Sequence, residues 1–527
     1  MSQYHIVMLE TSGIQDFIFG SNNLRVNTGA SALADAITRE WVPALLPTPN
    51  NVDGQGRVTR GSLEDGRLAV EAIYVGGGNA LLMFTGTPDE FLQRLSSHVL
   101  TKAPGLRVVS AVLPIGWKSD SLVGRLSELR QTLAQRKHEA APSGPLPGLG
   151  VTAACVFTGE PATGEWLDPG GQTKLVSESV WARLSWFDRG QQRLKSLVDD
   201  NYVSSFDHFG TKGESSYIAI VHGDGNRMGD RIENLGKTRA IPSMNREYAN
   251  LLREFSDSAR KAAETALGAT IETLSRCRTT EGLWQRQKDV TARDKAGLPR
   301  VSQRCDEEGR PLLPFRPVVF GGDDVTFVSD GRLGLALAHC YLELYSRQQL
   351  ADGQRAVGRA GVAIVNTHFP FSLGYALAEA LAASAKEPSE DGHAPTMDWH
   401  FGVNGVVGSL SEIRRVAYNV RSGSLLMRPV RVEAGTDWRH WNQFCDLVNA
   451  FQLGEQWRDR RNKLKALQRA LRGGAEDVRA FRNSYRIPEL PTIMGHEDFK
   501  SAGWQGGRCG YFDALEALDS YVPLEEP

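Results

Sequence analysis

Gly321-Gly322-Asp323-Asp324 lies between two short β-type runs, Val318 to Phe320 and Val325 to Val328. Glycines at such a point allow a tight turn and let a phosphate approach the backbone, while the two aspartates stand at the tip. Asp224 closes another β-rich run, Tyr217 to Val221, within His222-Gly223-Asp224-Gly225. If these runs are neighbours in one sheet, three carboxylates converge at its edge. Hard oxygen ligands of that kind suit Mg2+ or Mn2+, which bind triphosphate oxygens at the same time. In a two-metal site such ions activate an attacking hydroxyl and steady a leaving pyrophosphate, so the carboxylates hold metal and need not act as bases. Taken alone, Gly-Gly-Asp-Asp is equally an ordinary hairpin turn, because those residues dominate turns. Asp224 and the order of the surrounding elements favour the chemical reading.

Two further features could meet a nucleotide. Lys386 ends a helical run beginning near Ser372, after the small residues Ala382-Ala383-Ser384-Ala385. Its ammonium could bind a triphosphate, or simply stabilise the helix C-terminus. Gly76-Gly77-Gly78-Asn79 forms a second glycine hairpin without carboxylates, which predicts a catalytically silent turn. Such a turn can still line half of a pocket with the backbone of Gly77 and Gly78 and the side chain of Asn79, or serve only as a turn.

The elements that must position these residues recur twice. In the second half a strand (Tyr217 to Val221), a helix (Asn245 to Arg276), two hairpin strands, a helix (Leu333 to Gln349) and a strand (Gly361 to Val365) give β-α-β-β-α-β. The first half opens alike, with a strand from Tyr4 to Leu9, a helix from Gly29 to Leu46 and the glycine hairpin, so two copies of one domain are expected. Between Pro104 and Asn201 the signals are mixed, and the proline- and glycine-rich patch from Pro142 to Gly150 suits a linker. The charged stretch from Arg278 to Arg310 is an excursion from the fold, and Trp457 to Phe481 predicts a closing helical subdomain.

The whole chain of 527 residues carries 60 basic and 62 acidic side chains, a formal charge of -2, which fits a small anionic ligand better than long nucleic-acid tracts. Its 6 cysteines stand singly, without a CxxC pair, and point to a reducing cytoplasm. No apolar stretch approaches the roughly 18 residues of a membrane helix, and no apolar leader is apparent. A soluble cytoplasmic protein without a membrane partner is expected.

The motifs together resemble the large polymerase- and cyclase-like signature subunit of type III CRISPR effector complexes, in the form lacking an N-terminal HD nuclease. Gly13-Ile14-Gln15-Asp16-Phe17-Ile18, Leu24-Arg25 and Gly29-Ala30-Ser31 are similar to the opening of that family's first palm domain, and Gly76 to Asn79 to its glycine hairpin. Asp224, Gly225, Met228 and Gly229 are similar to the first motif of the second palm, Gly321 to Asp324 to its signature, and Gly361 to Ile364, Pro370, Ala378-Glu379 and Ala385-Lys386 follow in the family's order.

The resemblance implies an α+β chain with two ferredoxin-like (βαββαβ) palm domains: a silent first palm over 1–120, a connecting region over 121–210, the GGDD palm over 211–405 and a mainly helical C-terminal domain over 406–527. It implies metal-dependent joining of ATP into cyclic oligoadenylates for antiviral defence, with Asp224, Asp323 and Asp324 as catalytic metal ligands. Gly225, Gly321, Gly322, Lys386, Gly77, Gly78 and Asn79 would line the nucleotide. It also implies other effector subunits, guide RNA and target RNA as partners.

Three departures stand out. No histidine is followed directly by aspartate, so nuclease activity is not expected; Asn226 stands where the family usually has a second aspartate; and Thr158 in Cys155-Val156-Phe157-Thr158 replaces a thiol of the family's zinc element, leaving a degenerate remnant. A non-catalytic palm scaffold and a free-standing defence cyclase stay open as alternatives. The doubled palm argues against a diguanylate cyclase.

Overall fold

The computed structural model describes residues 3–139, 148–210, 216–286, 298–386, 392–402, 408–433 and 437–526. Residues 142–147 of the expected linker and 287–297 of the charged excursion lie outside these.

The first half runs β1 (Gln3–Ser12), α1 (Ile14–Phe19), α2 (Leu24–Ala36), a π-helical turn Ile37–Trp41, α3 (Val42–Leu45), β2 (Val70–Gly76), β3 (Asn79–Phe84), α4 (Asp89–Lys102) and β4 (Arg107–Gly116). Its sheet has the order β2-β3-β1-β4, with β1 antiparallel to both β3 and β4. The helix expected from Gly29 starts earlier, because the Asn23 side chain accepts from the backbone N–H groups of Arg25 and Val26 and caps α2 at Leu24. β4 falls where the sequence signals were mixed. Its partly buried pattern, with Pro114 inside, hides the alternation that marks a strand.

Between the halves lie α5 (Leu122–Glu139), the β5 (Gly164–Leu167) and β6 (Thr173–Val176) hairpin, α6 (Glu178–Ser185) and α7 (Phe187–Leu197). α6 and α7 pack on α2 at backbone distance: a Cβ on Gly29 would stand 1.8 Å from the Arg183 carbonyl oxygen. That contact is available only to glycine.

The second half has β7 (Tyr217–Gly225), α8 (Met228–Lys237) and the long α9 (Asn245–Arg276). The described ends of the charged excursion fold into two small ribbons, β8 (Leu283–Trp284) with β9 (Val301–Ser302) and β10 (Arg304–Cys305) with β11 (Pro311–Leu312). Then follow β12 (Phe315–Val319), β13 (Val325–Asp330), α10 (Gly334–Ser346), β14 (Gly358–Asn366), α11 (Phe371–Ser384) and β15 (Thr396–Phe401). The first four strands of this sheet lie in the order β12-β13-β7-β14, the same second-third-first-fourth order as in the first half. The expected β-α-β-β-α-β succession is present.

This sheet extends beyond the repeat. β15 adds parallel to β14 through the α11 crossover, and β18 (Val430–Arg431) adds to β15, giving six strands. The sequence had left the region after Thr396 as mixed; β15 is buried throughout, so it lacks the alternation of a half-exposed strand.

Each sheet face has its own core. Ala219, Val221, Val362 and Ile364 face α9, α10 and the C-terminal helices, while Ile218, Ile220, Ala363 and Val365 face α11 and the first half. That alternation is the period of two of a sheet covered on both sides.

The C-terminal part comprises α12 (Leu410–Ala417), β16 (Asn419–Val420), β17 (Gly423–Ser424), α13 (Trp441–Leu453), α14 (Arg461–Gly473), α15 (Ala475–Tyr485), α16 (Asp498–Ala502), β19 (Trp504–Gln505), β20 (Arg508–Cys509) and α17 (Phe512–Ala517). It is mainly helical, with a small β16-β17-β20-β19 sheet. Gly474, at φ 109°, divides the expected 457–481 helical run into α14 and α15.

The halves are joined by specific contacts. Gln15 of α1 donates to the Tyr375 hydroxyl at 3.2 Å and to Glu379 at 3.1 Å, and Phe19 stacks on Tyr375 with centroids 3.8 Å apart. On the other side, fully buried Glu71 of β2 is held by Arg246 and Arg253 of α9. Removing either arginine would leave a buried carboxylate short of charge compensation. Among the described residues no helix is long and apolar enough to cross a membrane.

Candidate functional site

Register brings the acidic residues together. β13 pairs antiparallel with β7 so that Val325 stands opposite Gly223, which sets the preceding Asp324 beside the following Asp224. The β12–β13 turn carries Asp323 back over Gly225, where a Cβ on the glycine would be 3.2 Å from the Asp323 Cβ. Glycine at 225 keeps that approach open. Carboxylate oxygens of Asp224, Asp323 and Asp324 all lie within 4.8 Å of one another, the one group of three metal-ligating side chains found among the described residues.

The electrostatics fit a cation site. Loss of solvation, with repulsion from Asp224, pushes the Asp323 carboxyl above its ordinary value. Asp324 is pushed well above the usual range, first by desolvation and then by Asp323 and Asp224. Because Asp324 keeps an exposed surface, repulsion among the three charges is the sounder physical cause there. Three carboxylates this close are costly without a counter-charge, and a hard divalent cation bound by oxygens supplies one.

The turn itself is pinned from outside the sheet. Gly321 has φ 109°, a conformation for glycine, and a Cβ there would meet guanidinium nitrogens of Arg193 and Arg39 at 2.7 Å each. Arg193 of α7 donates to the Phe320 carbonyl and lies 4.0 Å over the Phe320 ring. Arg39, in the π-helical turn after α2, pairs with Glu264 of α9 at 3.0 Å and with Asp35 at 3.1 Å, and Arg193 reaches Asp35 at 3.4 Å. Helices from the first half and the connecting region thus fix the start of the acidic turn. Below it, Tyr341 and Tyr345 of α10 stack with centroids 5.8 Å apart.

Facing this turn is the other glycine hairpin. Gly76, Gly77 and Gly78 all have positive φ, and the Gly78 carbonyl accepts from the Thr11 N–H at 2.8 Å. Gly77 and Gly322 are apposed backbone to backbone. Beside this contact opens a cleft of about 1400 Å³ lined by Gly76, Gly77, Asn79, Gly321, Gly322 and Asp323, with arginines of β2's surroundings and of α9 along its walls. Asp224 and Asp324 stand outside that lining, on the sheet side of Asp323.

Most residues singled out from the sequence therefore meet. Asp224, Gly225, Gly321, Gly322, Asp323 and Asp324 form one cluster, and Gly77 and Asn79 line the cleft beside it, while Gly78 is turned toward Ile14 and Thr11. Lys386 follows the last turn of α11, exposed and outside the lining of the cleft, on a helix that packs closely over Gly361 of β14. The sequence missed Arg359, Arg193 and Arg39. Arg359 lies opposite Asp224 on β14, bonds its carboxylate and donates to the Asn226 side-chain oxygen at 2.9 Å. Nothing local marks it, because only strand pairing brings it to the site.

No known protein-family model matches the chain, and no curated protein does. Solved structures do. A crystal structure of a Csm1-Csm4 cassette in complex with pppApApA matches at TM-score 0.53 and 14% identity over 98% of this chain and 69% of that one. One in complex with AMPPNP matches at TM-score 0.51 and 15% identity over 98% and 69%. The crystal structure of Csm1 in T. onnurineus matches at TM-score 0.50 and 15% identity over 98% and 70%. The chain shares the fold of Csm1. The likeness to Csm1 spans nearly all of it, and the resemblance read from the sequence thereby has a counterpart in three dimensions.

Proposed function

We propose that the chain is a metal-dependent nucleotidyltransferase that joins ATP into cyclic oligoadenylates, as part of a type III CRISPR-like defence assembly. The observation that carries this reading is the convergence of Asp224, Asp323 and Asp324 on one sheet edge, where the acidic turn meets the glycine hairpin of the first half beside a cleft of about 1400 Å³. The two sheets of like strand order support a division into two ferredoxin-like palms, 1–120 and 211–405, joined by 121–210 and closed by the helical 406–527.

Asp224, Asp323 and Asp324 would hold Mg2+ or Mn2+, which when bound supplies Lewis-acid activation of a 3′-hydroxyl and charge for a leaving pyrophosphate. The chain's own residues do the rest. Gly225, Gly321 and Gly322 bring backbone within reach of phosphates, Gly77, Gly78 and Asn79 offer the opposing wall, and Lys386 supplies a cation from the end of α11. Two nucleotides held against facing hairpins would lie with the hydroxyl of one near the triphosphate of the other. Proximity of that kind is the main contribution a protein can make to phosphoryl transfer.

Csm1-Csm4 structures containing cA4, pppApApA and AMPPNP share this fold, which supports adenine nucleotides as ligands and a further effector subunit as partner; guide RNA and target RNA rest on the resemblance read from the sequence. It also favours work inside a complex over a free-standing cyclase. The scattered cysteines agree with a cytoplasmic setting.

Calorimetric titration with a non-hydrolysable ATP analogue and Mn2+ tests the site. Binding that needs Mn2+ and disappears in an Asp323→Asn/Asp324→Asn chain is expected. Binding of equal strength in the variant would remove the aspartates from the site.

A further inference from the structure

Arg359 has a position that the metal reading does not use. Backbone pairing sets it directly opposite Asp224 on β14, while Asp324, the residue before β13, flanks Asp224 on the other side. Residues at one level of a sheet point to the same face, so a cation and two carboxylates stand in a row across three strands. The Arg359 guanidinium bonds the Asp224 carboxylate, and a second nitrogen donates to the Asn226 oxygen at 2.9 Å. The Asn226 amide in turn donates to the Gly392 carbonyl at 3.4 Å, which fixes its oxygen toward the arginine. Nε of Arg359 is buried and has no hydrogen-bond partner. The Arg359 side chain is 13% exposed and that of Asp224 25%, so the pair is partly shielded from bulk water.

A guanidinium so placed does two things. It neutralises one of the three charges that would attract a divalent cation, and it engages an oxygen of a residue that would ligate it. It is also an anion receptor by chemistry, with a planar fork matched to carboxylate and phosphate alike. Arg359 stands outside the lining of the cleft, as Asp224 does, so the alternative partner would be a triphosphate that follows the metal from Asp323 to Asp224.

We propose that Arg359 is the resident counter-cation of the acidic cluster: it competes with the divalent metal for Asp224 and gives up that carboxylate when a nucleotide's triphosphate takes the guanidinium. Metal and nucleotide then bind cooperatively, each weak alone. Asn226 belongs to the device, because an amide at that position holds the arginine without adding a fourth negative charge. This deepens the nucleotidyltransferase reading and rests on it for the identity of the anion.

The direction of one effect separates this role from a merely structural one. If Arg359 only oriented Asp224, its removal would weaken metal binding; if it competes, its removal strengthens it. Mn2+ binding to the full-length chain, counted by the electron paramagnetic resonance of free Mn2+, is measured without and with a non-hydrolysable ATP analogue. Without nucleotide, Arg359→Gln is expected to bind Mn2+ about tenfold more tightly than the unmodified chain, with Arg359→Lys between them. The analogue is expected to raise Mn2+ affinity in the unmodified chain and much less in Arg359→Gln. Unchanged or weaker Mn2+ binding in Arg359→Gln, with circular dichroism showing the variant folded, overturns the proposal; an unfolded Arg359→Gln transfers the same judgement to Arg359→Lys. If the analogue binds none of the chains, the nucleotide reading fails, while the nucleotide-free arm still decides whether Arg359 competes for Asp224.

Discussion

A Cβ built on Gly77 would stand 3.9 Å from the Cα of Gly322, so the glycine hairpins of the two halves meet backbone to backbone. One of these turns carries the aspartates and the other has none. The silent hairpin is therefore placed to shape the space in front of the acidic one, and a side chain at 77 would project into it. Gly77→Val is expected to lower nucleotide affinity at least ~10-fold, with a further destabilisation of about 1–2 kcal/mol from the positive φ of 61°. Fluorescence titration with a labelled ATP analogue, alongside urea unfolding, checks both.

Removing like charges from the cluster should separate stability from function. In metal-free buffer, Asp323→Asn/Asp324→Asn is expected to be as stable as the unmodified chain or more so, by ~1 kcal/mol, because the desolvated and mutually repelling carboxylates are gone. Metal binding should be lost. Thermal unfolding with and without Mn2+ measures this: Mn2+ raises the midpoint of the unmodified chain only.

Arg193→Ala tests whether the connecting region holds the acidic turn. The Phe320 carbonyl loses a charged donor and the Phe320 ring loses its cation, a change of about 1.5–3 kcal/mol locally. The effect should appear as faster hydrogen exchange at residues 320–324 and weaker Mn2+ binding, with α7 itself unchanged. Unaltered exchange in the turn would place its support elsewhere.

The fold and half of the site were legible in the sequence for a physical reason. Gly-Gly-Asp-Asp, Asp224 and the glycine hairpin are short segments whose turn chemistry announces itself, and α9 carries a long helical period from Asn245 to Arg276 that matched its span. What escaped depends on pairing between segments far apart in sequence. Arg359 meets Asp224 only through the β7–β14 register, and Arg193 and Arg39 reach the acidic turn from α7 and the π-helical turn after α2, both far from it in sequence. β4 and β15 escaped because neither alternates cleanly: one contains Pro114 and the other is buried on both faces.

His400 gives a pH signature to the C-terminal part. It is 7% exposed and lies 5.9 Å from the Tyr418 ring centroid. Burial, then the Arg428 and Arg414 guanidiniums, push its imidazole down to about 3 from an ordinary value of 6.5. The folded state therefore binds fewer protons than the unfolded chain below pH 6.5. Its stabilising contribution is complete above that value and is lost as pH falls toward 3, at up to ~1.4 kcal/mol per pH unit. Urea unfolding at pH 7.5 and pH 5 is expected to show a smaller loss on acidification for His400→Gln than for the unmodified chain. Equal losses would mean that His400 is free to protonate in the fold.

The central claim is tested most directly by mass spectrometry of the products formed when the chain, with its effector partners and target RNA, is incubated with each nucleoside triphosphate and Mg2+ or Mn2+. Cyclic adenylates made from ATP by the unmodified chain, and absent with Asp323→Ala/Asp324→Ala, are the expected result. The same products from both chains, or none from an unmodified chain that binds ATP with metal in the assembled complex, would contradict it.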